Sequence, residues 1–381
     1  MATVVAAASR RISIPDSVVL VVVGLWGAVL FPQVRVAITP ALVLGVFVPG
    51  LVFAAAYAID WADLRPVLAP IVALAVPGVL VSALVVAYVL QLGTELPLAL
   101  AFVVGAVTAA TDPVAVVATM GRLRVPARLR TLVEGESLLN DGTGLVLFAV
   151  AVRAAVGGIA AGEAVLLFVV TVVVSAVAGV AGGLLAARAM RLTDERTIQL
   201  ATSLVVAYGT YEIADAIGLS GILATVIAGI TLGTAMRRGG LAEAARDIEE
   251  LWEVVAFVLT SLVFLLIGFA VAVPALFGAT AAIALGTVAV LGARGLIVYL
   301  PIVALRLARP RRTLPKGWPH VIFWSGLRGA VALAAALSLP VDFPRRELVA
   351  EVSFGIVLAT LLLQGATAPL VVTRALAAIR S

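Results

Sequence analysis

The sequence predicts an all-α polytopic membrane protein of about twelve transmembrane helices, arranged as inverted repeats around two crossed, broken helices. Three observations carry that expectation. Apolar runs recur from Ser17 to the C-terminus with only short polar joints between them, and about 20 such residues suffice for one helical span. Of 381 residues, 63% are hydrophobic and 12% charged, with a mean hydropathy of +1.20; a membrane β-barrel would show alternating segments of about 10 residues instead. The third observation is where the basic residues fall. With the N-terminus in the cytoplasm, twenty of the 26 lie in inner joints and four (Arg35, Arg153, Arg345, Arg346) in outer ones, while Arg294 and Arg328 fall inside helices. One helix more or fewer would scramble that split, so the positive-inside rule puts both termini on the cytoplasmic side of a cell (inner) membrane.

Taken in order, the first helix covers 17–31, behind Arg10 and Arg11; Leu20–Phe31 offers no small-residue cleavage site, so it is read as retained rather than as a signal peptide. The next spans are 38–59, 66–91, 96–120, 128–156 and 162–190. The fourth is interrupted by Thr111-Asp112-Pro113, and the fifth follows a basic joint from Arg122 to Arg130. The second set covers 197–217, 219–235, 247–273, 276–308, 317–340 and 346–376. Gly218 alone separates its first two members. The run from Glu243 to Glu253 is read as mostly a solvated face ahead of the ninth helix, and Glu212 with Asp215 as lining an entry funnel or, with slight preference, facing water. Helices one and eight are both short. The offset of seven between them, an odd number, inverts the second copy and pairs helix four with helix eleven, which carries Gly326-Leu327-Arg328-Gly329 at its middle. Interrupted helices at matching positions of inverted repeats point to a binding site at the bilayer midplane.

The stretch LVEGESLLNDGTGLVLF, Leu132 to Phe148, carries the chemistry. It places Glu134, Glu136, Asn140 and Asp141 in a membrane helix, where a carboxylate costs roughly 2.5–3.5 kcal/mol on insertion scales and therefore faces a cavity, an ion path or a partner charge. Ser137 and Asp141 are four apart and share a face; Glu136 and Asn140 form the adjacent pair. On the fourth helix Pro113 disfavours helical backbone at Asp112 and removes a donor, so the chain unwinds there and frees carbonyls such as that of Thr111 for a cation. Asp112, Asp141, Ser137 and Thr111 thus form an oxygen-rich set suited to a hard cation. Removed from water, Asp141 holds either a proton or a cation, and that competition is the simplest antiport mechanism. Arg294 and Arg328 need compensation in the membrane. Glu136 is read as the partner of Arg294, and Arg328 as offsetting dipole ends where the broken helices cross.

These segments resemble a known family. TDPVAVVA, the EGESLLNDGTGLVLF stretch, YGTYEIADAIGLSGILATVIAG and FWSGLRGAVALA together resemble cation:proton antiporter family 1, the NhaP and NHE-type sodium/proton exchangers. The resemblance implies an NhaA-like antiporter fold, a homodimer in the lipid bilayer, and exchange of Na⁺ or a similar monovalent cation for H⁺ by alternating access. It implies a core bundle of 66–156 plus 276–376, dimerisation or scaffold helices at 17–59 plus 197–273, and a linker helix at 162–190, within one unit of 1–381. It implies Asp141 and Asp112 as ion ligands beside Ser137 and the Thr111 carbonyl, Asn140 in support, and Glu136 with Arg294 as the core ion pair. Asparagine at 140, where electrogenic relatives carry a second aspartate, implies one-for-one exchange. Two departures stand out. The family usually has thirteen helices, and the first is expected to be missing here. In FVPGLVFAAAY, Ala54 stands where an acid is usual. No regulatory domain is expected after Ser381.

Other classes fit less well. The chain has no cysteine and one histidine, so thiolate metal sites, disulfides and an HExxH motif are excluded. No cofactor and no enzymatic activity are expected, the transported cation and proton being substrates. The net charge of +5 reflects topology-setting arginines, not nucleic-acid binding. A K⁺/H⁺ antiporter, or a proton-coupled symporter or channel of the same build, remains open. The remotest alternative is an intramembrane serine protease using Ser220 of Gly218-Leu219-Ser220-Gly221 with His320 as base.

Overall fold

Every apolar run of the sequence contains helix in the structure, a computed structural model that describes residues 16–31, 39–122, 125–270, 273–308, 315 and 317–380. In chain order the helices are α1 (Asp16–Leu30), α2 (Pro40–Ala58), α3 (Trp61–Gly93), α4 (Leu98–Val107), α5 (Val114–Arg122), α6 (Ala127–Ala155), α7 (Ala161–Met190) and α8 (Arg196–Ala216). They continue as α9 (Gly221–Arg238), α10 (Ala242–Ala270), α11 (Val273–Gly278), α12 (Thr280–Ala308), α13 (Trp318–Trp324), α14 (Ala330–Leu337) and α15 (Arg346–Arg380). Among the described residues, α2, α3, α6, α7, α10, α12 and α15 are each long and apolar enough to cross a membrane alone. The expected fourth span is α4 with α5, and the eleventh is α13 with α14, each halved by an extended break. Arg10, Arg11, Arg35, Arg124, Arg309, Arg311, Arg312 and Lys316, which contribute to the charge asymmetry, lie outside the described residues.

Two prolines inside the spans are absorbed by a local change of helix type. A residue without an N–H cannot close the usual helical bond, and widening to a π turn accommodates it. The backbone does so at Val43–Phe47, ahead of Pro49, and at Leu74–Gly78, around Pro77. The hydroxyl of Thr143 on α6 donates to the Ala75 carbonyl of that second turn, tying α3 to the helix that bears the acids.

In the packing, α1 lies on α10, α2 on α9 and α10, and α9 on α7 and α8. Elsewhere α3 packs on α4 and α12, and α15 packs on α12 and on all four halves of the broken helices. The long helix α6 touches both groups, with α3 and α4 to one side and α7 and α9 to the other. Between α2 and α3 the chain is clamped. Arg237 donates to the Tyr57 and Ile59 carbonyls at 2.9 and 2.8 Å, neutralising the end of α2. Arg237 and Arg238 also approach Asp60, at 3.4 and 3.2 Å, and Asp60 accepts the Ala62 N–H at 2.7 Å. Burial works to raise the Asp60 carboxyl, but that N–H and the two guanidinium groups outweigh it and hold the group below its usual value.

Candidate cation-binding site

The two breaks meet. The first runs from Thr108 to Pro113 and the second from Ser325 to Gly329, and the Asp112 N–H donates to the Leu327 carbonyl at 2.7 Å. Around this crossing, charge follows helix polarity. Asp112 accepts the Val114 N–H at 3.0 Å and also that of Ala330, so it caps the N-termini of both α5 and α14. A helix N-terminus carries roughly +0.5 of an elementary charge and the C-terminus the opposite. The opposite ends receive the arginines. Arg328 donates to the Ala109 and Ala110 carbonyls beyond α4 at 2.6 and 3.0 Å. Arg294 donates to the Ile322 carbonyl at the end of α13 at 2.8 Å.

Both glycines of Gly326-Leu327-Arg328-Gly329 are required by close approach. A Cβ on Gly329 would fall within the Asp112 carboxylate, and one on Gly326 would press the Arg294 side chain. The sequence marked this motif as a break; the contacts give each glycine a partner.

Glu136 and Arg294, each 1% exposed, form a two-pronged ion pair with N–O distances of 2.8 and 2.9 Å. Asn140 locks the next layer. Its amide donates to Glu136 at 2.7 Å and to the Thr111 hydroxyl at 2.5 Å, while its oxygen accepts the Thr111 N–H at 2.9 Å. Ser137 donates to the Thr111 carbonyl at 2.5 Å. Asn140 and Thr111 therefore brace one another. Thr111 is buried behind the acids and does not line the cavity that Asp112, Ser137 and Asp141 share.

That cavity measures about 490 Å³ and is walled by Ala54, Ala55, Ala58, Phe264 and Trp252, with Asp112, Ser137 and Asp141 on its surface. Asp141 hydrogen-bonds to no protein group among the described residues, leaving its oxygens for a ligand. Arg130 and Glu134 line the same cavity from the start of α6, Glu134 about 10 Å of helix from Asp141 and Arg130 one turn further. Glu134 pairs with the exposed Arg130 at 2.8 Å rather than with a buried arginine. Glu249 and Glu253 also line the cavity. Glu253 is exposed and Glu249 partly so, as the reading of 243–253 as mostly a solvated face has it; what that reading did not give is that these two acids, four residues apart and so on one face of α10, edge the cavity.

A second cavity of about 220 Å³ lies toward the other end of α6, among Arg153, Tyr211, Asp215 and Ser220. Asp215 is thus at the mouth of a cavity, and both it and Glu212 are exposed. Between the two cavities Gly142 rests directly on Leu223. The protease constellation is not formed. Ser220 accepts the Leu223 N–H at 3.2 Å as the cap of α9, and exposed His320 is paired with the Tyr299 hydroxyl at 2.9 Å.

With this geometry in view, comparison with known proteins is decisive. The family described as "Sodium/hydrogen exchanger, transmembrane" matches residues 1–374. The chain belongs to that sodium/hydrogen exchanger family. It is 36% identical over 373 residues to the Na⁺/H⁺ antiporter ApNhaP of Aphanothece halophytica, covering 95% of this chain and 70% of the relative. It is 31% identical over 378 residues to the antiporter NhaH of Halobacillus dabanensis, covering 95% and 92%. The structure of the antiporter MjNhaP1 from Methanocaldococcus jannaschii at pH 8 superposes with a TM-score of 0.80 at 19% identity, over 100% of this chain and 96% of that one. That likeness speaks to the fold alone.

Proposed function

We propose that this exchanger moves one Na⁺ against one H⁺ across a cell (inner) membrane, both species competing for Asp141 and Asp112. Antiport of a monovalent cation and a proton follows from membership of the family; the ion, the stoichiometry and the residues are our reading. The observation that carries it is the cavity, which reaches Asp112, Ser137 and Asp141 from one end of α6 while Gly142 against Leu223 separates it from the other end. Two carboxylates with spare acceptor capacity, plus the Ser137 oxygen, offer a dehydrating cation hard oxygen ligands. Their mutual repulsion when empty favours uptake of either a proton or a cation. Thr111 contributes by position, holding the ligand Ser137 and its support Asn140 in register from behind.

The Arg130 end of α6 belongs to the arginine-rich side, so we place the open cavity and both termini toward the cytoplasm. Alternating access would then move the core, 66–156 plus 276–376, against the scaffold, 17–59 plus 197–273, with 162–190 as linker. The acid-bearing face of α6 changes its packing against α9 as the second cavity opens. We assign the scaffold helices to a homodimer contact. Proteoliposomes with an internal pH dye, pulsed with Na⁺, Li⁺ or K⁺ at clamped and released voltage, test the reading. A pH change triggered by Na⁺ and indifferent to voltage is expected. Voltage dependence would refute one-for-one exchange, a K⁺-only response would refute the ion, and no response to any cation would refute antiport.

A further inference from the structure

Gln364 is fully buried on α15, and neither its amide oxygen nor its amide nitrogen has a hydrogen-bond partner among the described residues. Buried amides without partners are rare because each forfeits its hydrogen bonds to water. The same is true of several other groups in the transport core, and two of them, the Nε–H of Arg294 and the Nε–H of Arg328, belong to the arginines that hold the crossing. Those two are donors, and the Gln364 oxygen is an acceptor.

Hydrogen bonds around them bring Gln364 to the level of the crossing. Thr367, three residues on, accepts the Trp324 indole N–H at 2.9 Å at the end of α13. The Arg294 guanidinium reaches that same end, at the Ile322 carbonyl. At the start of α15, Arg346 donates to the Leu339 carbonyl just past α14 at 3.0 Å. α15 therefore runs antiparallel to the broken pair, and one turn before Thr367 falls beside the Ser325–Gly329 break that holds Arg328. Neighbouring Thr360 is satisfied within its own helix, by the Ile356 carbonyl, and offers nothing to Gln364.

We propose that Gln364 is a positioning residue of the crossing: through an internal water its amide oxygen takes up the Nε–H groups of Arg294 and Arg328. A buried water commonly makes about three hydrogen bonds, and here it would accept two and donate one. The two guanidinium groups already hold the C-terminal ends of α4 and α13. Fixing their Nε edges fixes the angle of the breaks and, through them, Thr111 and Asp112.

The two possibilities for this amide differ in sign. If Gln364 has no partner, replacing it by leucine of similar size relieves a buried polar group and leaves stability equal or higher. If it joins the arginines, the same change strands both Nε–H groups. For the full-length chain carrying Gln364→Leu, the melting temperature in detergent is expected to fall by about 2 °C or more. The apparent KM for Na⁺ in proteoliposomes is expected to rise about threefold or more, with a smaller effect on the maximal rate. Gln364→Glu keeps the acceptor oxygen and is expected to recover more than half of each effect. Melting at or above wild type, an unchanged KM, or no recovery with glutamate would overturn the proposal. If the leucine variant does not fold, Gln364→Glu alone decides, near-wild-type melting and KM supporting the proposal and large losses overturning it. The KM arm rests on the function proposed above; the melting arm does not, so failure of one reading is separable from failure of the other.

Discussion

Replacing Glu136 by alanine should damage the fold itself rather than the transport chemistry. The carboxylate meets both terminal nitrogens of Arg294 at 2.8 and 2.9 Å and accepts a third bond from Asn140 at 2.7 Å, with both charged partners 1% exposed. After truncation Arg294 keeps only the Ile322 carbonyl and a long contact of 3.4 Å to the Ser325 hydroxyl. A buried charge stranded in this way costs about 3–5 kcal/mol, a large share of the roughly 5–15 kcal/mol that holds a typical domain folded. Thermal unfolding of the detergent-purified chain, followed by tryptophan fluorescence, measures the loss. The companion experiment is the double change Glu136→Leu with Arg294→Met. Removing both charges leaves no unpaired ion, so the double variant should regain most of the lost stability. A single variant melting within 1 °C of wild type would refute the pairing argument, as would a double variant no more stable than the single one.

Asp141→Asn should reduce exchange by about a hundredfold or more while the melting temperature stays equal or rises, because Asp141 has no protein partner to lose; wild-type dye kinetics would refute its role. Asn140→Asp should be destabilising by about 1–3 kcal/mol, since it replaces the N–H donated to the Glu136 carboxylate by a second carboxylate oxygen facing it; equal melting of variant and wild type at pH 8 would refute that account. Asp60 makes a pH-dependent contribution outside the spans. Its carboxyl sits below the ordinary value when folded, so this stability is complete above the unfolded value near about 3.9 and disappears as pH falls through the lower folded one. Asp60→Asn should therefore lower the melting temperature at pH 6, with the gap to wild type closing toward pH 3; a constant gap would show that capping, not charge, is lost.

The all-helical membrane build, the two breaks and the acids were legible in the sequence for physical reasons local to each. Lipid demands about 20 apolar residues per span, Pro113 disfavours a helical Asp112, and a charge inside an apolar run must have a purpose. Helical spacing also related Glu136 to Asn140 and Ser137 to Asp141. What lay beyond reach was anything set by which helix faces which. Thr111 reads as a ligand from its place beside Pro113, yet Asn140 and Ser137 on another helix turn it inward, behind the cavity. Glu249 and Glu253 read only as part of a solvated face, and it takes the packing of α10 against α2 to set them at the cavity's edge. The glycines at 326 and 329 announce a break but not their partners, Arg294 and Asp112. Sequence determines where a chain must bury or interrupt itself, because the cost of a charge or a proline in lipid is paid by the residue alone. Tertiary structure decides which carboxylate meets which arginine, because that depends on distances between helices that no local pattern encodes.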